Sequence, residues 1–520
     1  MTAQPESTPA PTLRVRQMHV IWRDTFVVAD PLPDFLEGSR ERLTRLPCYH
    51  ADRFSPRNAQ PPELRVLERV SRNVASIGYD DLLRFQFASF EMASLRPACD
   101  RYRRPPDALM PGQVVEAALE ADEAGAWIAI TPFLLLHRAG VGIMEYHASF
   151  DAPTGGDAPG YTPEQAIELV RLGISQQLLN LSADWRAVLP TDPSTAHIPL
   201  IVEDTPGWHL AVASLRDIAQ VMAACLSARY ESAAPPRRRR QRKHRERQQA
   251  VLGEAPRPTG STTVVLLETA PPAAADFPAF IAGHAAPLRG IGAMDTFYHE
   301  RAGWLVEREL ADNLSVDSEA AVYLLGNSEL ILYNDLLPGI LPGLEKRLRL
   351  NAEHAVTYLY AHYTVLLEWV YLQDAILRFY IQRLDALAAA PTPHRRAMIA
   401  ALQGALADLV QYREGITPFA TRVEFLERAG SYHKLDQLAE RFECKQELLL
   451  SYASEFHDYR EARATEFLNW LAGILTGAAL ADLILALTGI TVEQTAPYLG
   501  ITLGSIALVL AIMALLLRRR

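Results

Sequence analysis

The sequence predicts an α+β fold: a cytoplasmic α/β body, a long helical bundle and stalk, and a two-helix transmembrane hairpin at the C-terminus. Three observations predict it. Strand-like alternating and β-branched runs recur through the first two-thirds of the chain. Apolar residues then return at three- and four-residue steps, and two apolar stretches of about 20 residues each close the sequence.

Residues 1–12 are rich in Pro, Thr and Ala, with no apolar run behind a basic start, and read as a tail without a cleaved secretion signal. A first α/β domain follows over 13–231. Its expected strands are Leu13–Val28, Trp127–Leu136, Gly140–Phe150 and Leu200–Glu203, and its expected helices Thr162–Leu181 and Ser214–Tyr230. Residues 232–261 form a linker: Pro235-Pro236 precedes Arg237, Arg238, Arg239, Arg240, Arg242, Lys243, Arg245 and Arg247, a run that reads as solvated and suited to anionic lipid headgroups. A second strand group over 262–343 comprises Thr262–Leu267, Gly303–Leu310 and Ala320–Tyr333, the last split into a hairpin at Gly326-Asn327-Ser328. Two lobes, or one sheet interrupted by an insertion, both accommodate these strands.

Residues 344–466 read as a helical bundle and stalk. A long helix is expected from about Leu344 to Leu387, then a shorter set broken by Pro391, Pro393, Gly415, Pro418 and Gly430. From Ser431 the stripe Leu435, Leu438, Phe442, Leu449, Tyr452, Phe456, Tyr459 meets no Pro or Gly before Gly473. Continued from Tyr432 to Thr488, such a helix measures on the order of 85 Å.

Residues 467–520 hold the hairpin, with expected spans Phe467–Thr488 and Tyr498–Leu517 joined by a turn too short for anything else. Arg460 and Arg463 precede the first span and Arg518, Arg519 and Arg520 follow the second, while the turn has no Lys or Arg. The positive-inside rule then places both termini in the cytoplasm of a cell (inner) membrane protein. Gly473 and Gly477, and Gly500 and Gly504, are small-residue pairs suited to close helix packing in a bilayer.

Composition supports a large water-facing mass with a small membrane part: 520 residues, 49% apolar, mean hydropathy −0.01. Cys48, Cys99, Cys225 and Cys444 show no metal-ligand or redox spacing, which fits a reducing compartment and argues against structural zinc. The net charge is −10. With the basic run of the linker set aside, the rest of the chain carries about −17, which draws cations rather than nucleic acid. His354, Tyr358 and His362 share a helix face, but the histidines lie two turns apart and read as packing. Neither Gly140-Val141-Gly142 nor Gly155-Gly156 leads into a phosphate-loop Lys, and no Ser/His/Asp or Cys/His order stands out, so no enzyme is expected.

The layout of residues 431–520 resembles the CorA-type two-helix divalent-cation transporters: a very long helix becoming the first span, a short external turn, a second span and a basic end. That family marks the outer end of its first span with Gly-Met-Asn, and here Gly489-Ile490-Thr491 stands in its place. The resemblance implies a homo-oligomer in the lipid bilayer, pentameric by analogy, passing a divalent cation such as magnesium. On a helical wheel Leu471, Leu475, Asp482 and Gly489 share a face. An intramembrane carboxylate is expensive and usually faces a watery path. The expected pore line is therefore Leu471, Leu475, Asp482, Gly489, Ile490, Thr491 and Glu493, with Asp482 and Thr491 meeting the ion. Arg237, Arg238, Arg239, Arg240, Arg518, Arg519 and Arg520 are expected at the membrane surface. Two other functions fit the same layout: a membrane-anchored sensor or defence effector whose cytoplasmic domain binds a nucleotide or protein, and a non-conducting tether.

Overall fold

The computed structural model describes residues 12–28, 35–74, 79–94, 126–152, 160–175, 181–182, 184–185, 214–227, 259–273, 277–334, 337–349, 351–388 and 420–448, with scattered positions beyond 471. The strands are β1 (Arg14–Val27), β2 (Tyr49–Asp52), β3 (Leu82–Phe87), β4 (Phe90–Ser94), β5 (Ala126–His137), β6 (Val141–Asp151), β7 (Thr259–Ala270), β8 (Ala320–Leu324) and β9 (Ser328–Tyr333). The helices are α1 (Phe35–Leu43), α2 (Pro62–Val74), α3 (Pro163–Ser175), α4 (Leu215–Ser227), α5 (Phe277–Gly292), α6 (Gly303–Glu309), α7 (Leu337–Leu348), α8 (Ala352–Ala388) and α9 (Ala420–Tyr432).

All nine strands join one sheet in the order β2-β3-β5-β6-β1-β7-β9-β8, with β4 also pairing β5. Of the two arrangements open to the sequence, the strands on either side of the basic linker thus share a sheet. The pairs are antiparallel except β7 with β9. That parallel pair needs a crossover, and α5, α6 and β8 occupy it. β1 is the hub, paired along its length with β6 and β7. Gly140, at φ 80°, turns β5 into β6 in a conformation that costs a glycine nothing.

Alternation along each strand divides the sheet into two faces. Met18, Val20, Trp22, Leu134, Leu136, Met144, Tyr146, Val264, Leu266 and Leu330 point into one apolar core shared with α1, α3, α4 and α5. Close approach matters there: a Cβ on Gly173 of α3 would sit 2.2 Å from the Trp22 ring. That ring's Nε1 donates to the Val170 carbonyl at 2.7 Å. The other face carries α2, α8 and α9. His354 Nε2 of α8 lies 3.4 Å from Glu63 of α2, Arg422 of α9 donates to the Asn73 carbonyl at 2.6 Å, and the Tyr363 and Phe425 rings lie 5.9 Å apart.

Several expectations change. Gly303–Leu310 is helix α6 rather than a strand, because Trp304, Val306, Glu307 and Arg308 place one buried residue, Val306, among exposed or half-buried ones, a helical and not an alternating pattern. The helix expected over Leu344–Leu387 is divided near Arg349, whose φ of 54° ends α7 before α8 begins. The stalk does not run unbroken from Ser431. Lys434 adopts φ 58°, closing α9, and a new helical stretch spans 435–448 with Leu435 and Phe442 buried.

The largest correction concerns the membrane. Among the described residues no helix is long and apolar enough to cross one. The longest, α8, has the length but carries Glu353, Glu368, Asp374, Arg378 and Asp385 along it. This goes against the expected integral inner-membrane location with both termini cytoplasmic, and it leaves the transmembrane hairpin without support.

The chain divides into two compact units, Met1–Arg383 with Leu402–Phe442, and Leu384–Ala401 with Glu443–Arg520. In the second, the described positions among 472–509 are helical. Ala481 and Ser505 are buried, Leu483, Leu499 and Leu503 are exposed, and a Cβ on Gly500 or Gly504 would meet nothing within 4 Å.

Candidate functional site: a charged seam beneath a long helix

The face of the sheet under α8 is built on the same strands as the apolar face, yet it carries charge. Arg84 of β3, Glu145 of β6, Arg23 of β1, Glu329 of β9 and Glu368 of α8 are all nearly inaccessible to solvent. Register brings them together. Arg23 and Glu145 are direct cross-strand partners, as are Thr263 and Glu329, so the pleat aims all four side chains at α8.

The contacts form one connected network. Arg23 Nε donates to Glu145 Oε1 at 2.6 Å and its Nη1 to Thr263 Oγ1 at 2.5 Å. The Thr263 hydroxyl donates to Glu329 Oε2 at 2.5 Å, while Arg23 Nη1 stands 3.6 Å from that oxygen. Arg84 Nη1 lies 3.6 Å from Glu145 Oε2, and both Arg84 amino groups reach the Glu368 carboxylate, a two-pronged pairing between sheet and helix. Tyr371, one turn further along α8, donates to Glu329 Oε1, and the Arg23 guanidinium sits 6.0 Å from the centre of its ring.

A hydrogen-bonded chain leads into this network from the exposed Ser149. Ser149 Oγ lies 2.9 Å from His19 Nδ1, His19 Nε2 lies 3.4 Å from His147 Nδ1, and His147 Nε2 lies 3.5 Å from Glu145 Oε2. An ionised Glu145 can only accept, which fixes the order: His147 donates from Nε2, His19 donates to His147 Nδ1, and Ser149 donates to His19. Tyr360 of α8 caps the pair, 3.1 Å from His19 Nε2.

Burial sets the protonation states. It pushes the Glu145 carboxyl up, but Arg23, His147 and Arg84 outweigh it and hold that carboxyl well below the ordinary range. Burial lifts Glu329 to about 7 against the weaker opposition of Arg23 and Thr263. It also lifts Glu368 to about 7 against Arg84. On α2, burial lifts Glu68 to about 7 despite Arg84, Arg53 and Arg72. Burial keeps His19 and His147 below their ordinary value and hence neutral, in His147 against the pull of Glu145. Three buried polar atoms nearby have no partner: Arg23 Nη2, Glu68 Oε2 and Gln86 Oε1.

The residues expected from sequence to form a site are placed otherwise. Leu471, Leu475, Asp482, Gly489, Ile490, Thr491 and Glu493 lie outside the described residues, as do Arg237, Arg238, Arg239, Arg240, Arg518, Arg519 and Arg520. His354, Tyr358 and His362 do sit along α8 as packing residues: His354 faces Glu63, and the Tyr358 and His362 rings meet edge to face at 4.9 Å. Burial drives His362 down to about 4. Among the described residues no group of three or more His, Cys, Asp or Glu could hold a metal ion. The seam residues escaped the sequence reading, although Arg23 and Glu145 do end the apolar runs Val20–Trp22 and Val141–Met144.

What the seam can do chemically is bounded by its burial. It offers paired ions, a relay of neutral histidines and a half-buried tyrosine on a single helix, all closed over by that helix. The chain matches no family model, no curated protein and no solved structure.

Proposed function

We propose that the protein is a sensor whose α/β body holds α8 on a charged seam and signals, to a protein partner, by letting that helix go. The observation that carries this reading is the pairing of Arg84 with Glu368, with Tyr371 on Glu329: the buried charges join the sheet to one helix rather than strand to strand alone. A buried ion network holds two surfaces together no better than apolar side chains of the same volume, because desolvation offsets most of the attraction. Its distinctive property is that both sides regain hydration when they part, so the separated state is less penalised than it is for two bare apolar faces. That suits an element meant to move. Cation passage would need segments that cross a bilayer, and the sensor reading needs none.

Hydrogen exchange tests it. The α8 amides around Glu368 and Tyr371 are expected to exchange through an opening that leaves β6 and β1 protected. Replacing the pair with apolar residues, Arg84→Met with Glu368→Leu, should remove that separate opening. Exchange of α8 and the central strands at one common rate in the natural protein would refute the reading.

A further inference from the structure

We infer that Glu329 and Tyr371 form a proton-operated latch for α8, closed when the Glu329 carboxyl is neutral and loosened when it ionises. The inference rests on the sensor reading and supplies its signal. Charge counting comes first. The connected seam holds three carboxyl groups, Glu145, Glu329 and Glu368, against two guanidinium groups, Arg23 and Arg84, with all five buried. Five ionised groups would leave one unbalanced negative charge out of water, which a protein avoids by keeping one carboxyl protonated.

Geometry selects the one. Glu145 takes Arg23 at 2.6 Å and Arg84 at 3.6 Å. Glu368 takes both prongs of Arg84. Glu329 has no charged hydrogen bond at all: Arg23 stands off at 3.6 Å, and its two oxygens meet the hydroxyls of Thr263 and Tyr371. A hydroxyl can give or take a proton, so the Tyr371 contact persists when Glu329 Oε1 carries its own hydrogen. Tyr371 is half-buried, while the Glu329 carboxyl that it touches is fully buried.

The groups facing Glu329 are Arg23 from β1, Thr263 from β7 and Tyr371 from α8, with Glu145 and His147 of β6 and Glu368 of α8 one step further away. From beyond α9, the His433 ring lies 5.2 Å from Tyr371, and it is held below its ordinary value by burial, with Asp374 and Arg378 acting on it. In the closed state burial lifts Glu329 from 4.5 to about 7. With α8 away, the carboxyl regains water and its ordinary affinity. The closed state therefore binds the proton more tightly. Closure is at full strength below about pH 4.5, weakens as pH rises, and has lost the Glu329 contribution above about pH 7.

The test is hydrogen exchange of the α8 amides near Tyr371, with the chemical exchange rate divided out, from pH 5 to pH 7.5 on the full chain. The population of the open helix should rise roughly tenfold to a hundredfold over that range. Glu329→Gln, which keeps the shape of the neutral acid, should remove the Glu329 share of the rise and leave at most the part contributed by Glu368, which burial also lifts to about 7, while Glu68→Gln should leave the rise intact. An infrared band of neutral carboxylic acid at pH 6 that loses intensity in Glu329→Gln reports the same proton without relying on exchange. Opening that is equal at both pH values, or a rise undiminished by Glu329→Gln, overturns the latch and leaves the sensor reading standing. A helix that never opens apart from the sheet overturns both.

Discussion

Successive residues of the same strands meet two different chemistries. Trp22 and Arg23, Met144 and Glu145, and Tyr146 and His147 are neighbours in sequence and opposites in surroundings. The even-numbered member of each packs against α3, α4 and α5 in a continuous apolar core, and the odd-numbered one faces α8 in a network of charges and rings. The apolar face depends on area and fit, so each lost methylene weakens it by a small and local amount. The charged face depends on pairing, so its members fail together. The difference teaches that one sheet can carry a permanent attachment on one side and a releasable one on the other.

The sharpest way to break this comparison is to change adjacent residues of β6. Glu145→Leu leaves Arg23 and Arg84 buried without their shared carboxylate and is expected to cost about 3–5 kcal/mol in urea unfolding. Met144→Leu, one residue earlier on the apolar face, conserves volume and should cost below about 1.5 kcal/mol. Equal losses would mean that the charged face is only another packed core.

The comparison sharpens when both partners change at once. Arg84→Met or Glu368→Leu alone strands a buried charge, with an expected loss of about 3–5 kcal/mol, whereas the two together should return stability to within about 2 kcal/mol of the natural protein or above it. A double-mutant cycle in denaturant measures the coupling. Simple additivity of the two losses would show that the residues act through separate partners and that the two-pronged contact holds nothing.

How far the sequence reveals this arrangement differs between the two faces. β1, β5, β6, β7 and the β8–β9 hairpin follow from alternation and turn residues within a few positions. So do α3 and α4, because apolar periodicity reports directly on a core. The charged seam is invisible to that rule. A polar residue in a strand normally signals solvent, and Arg23 or Glu145 reads as an outward face until its partner 122 residues away is known. What can be read in advance is weaker: β6 holds Glu145 and His147 on one face and Met144, Tyr146 and Ala148 on the other, within a strand that is otherwise largely apolar. Such a strand has no dry place for its charge unless a neighbour supplies the counter-ion. The helix α6 was missed for a related reason. Trp304 and Val306 are residues that strands favour, and the tertiary setting, which buries Val306 alone among its neighbours, decides for the helix.

The smallest expected effect compares one hydroxyl on each face. Tyr146 Oη donates to the Leu215 carbonyl at 2.8 Å in the apolar core, and Tyr371 Oη donates to Glu329 under α8. Removing either oxygen deletes one hydrogen bond and leaves one acceptor unserved, worth about 0.5–1.5 kcal/mol. The two losses should nevertheless read differently against pH. Burial already raises the Tyr146 phenol well above its ordinary value, so it stays neutral across the working range, and Tyr146→Phe should lower stability by the same amount at pH 5 and pH 7.5. Tyr371→Phe takes a donor from Glu329, which favours the neutral carboxyl still further. Its loss should be smallest at pH 5, where that carboxyl is protonated, and largest near pH 7.5, where the ionised form misses the donor. Urea midpoints at the two pH values decide it. Parallel losses for the two phenylalanine variants would show that the Tyr371 contact is a packing detail, with no part in how the long helix is held.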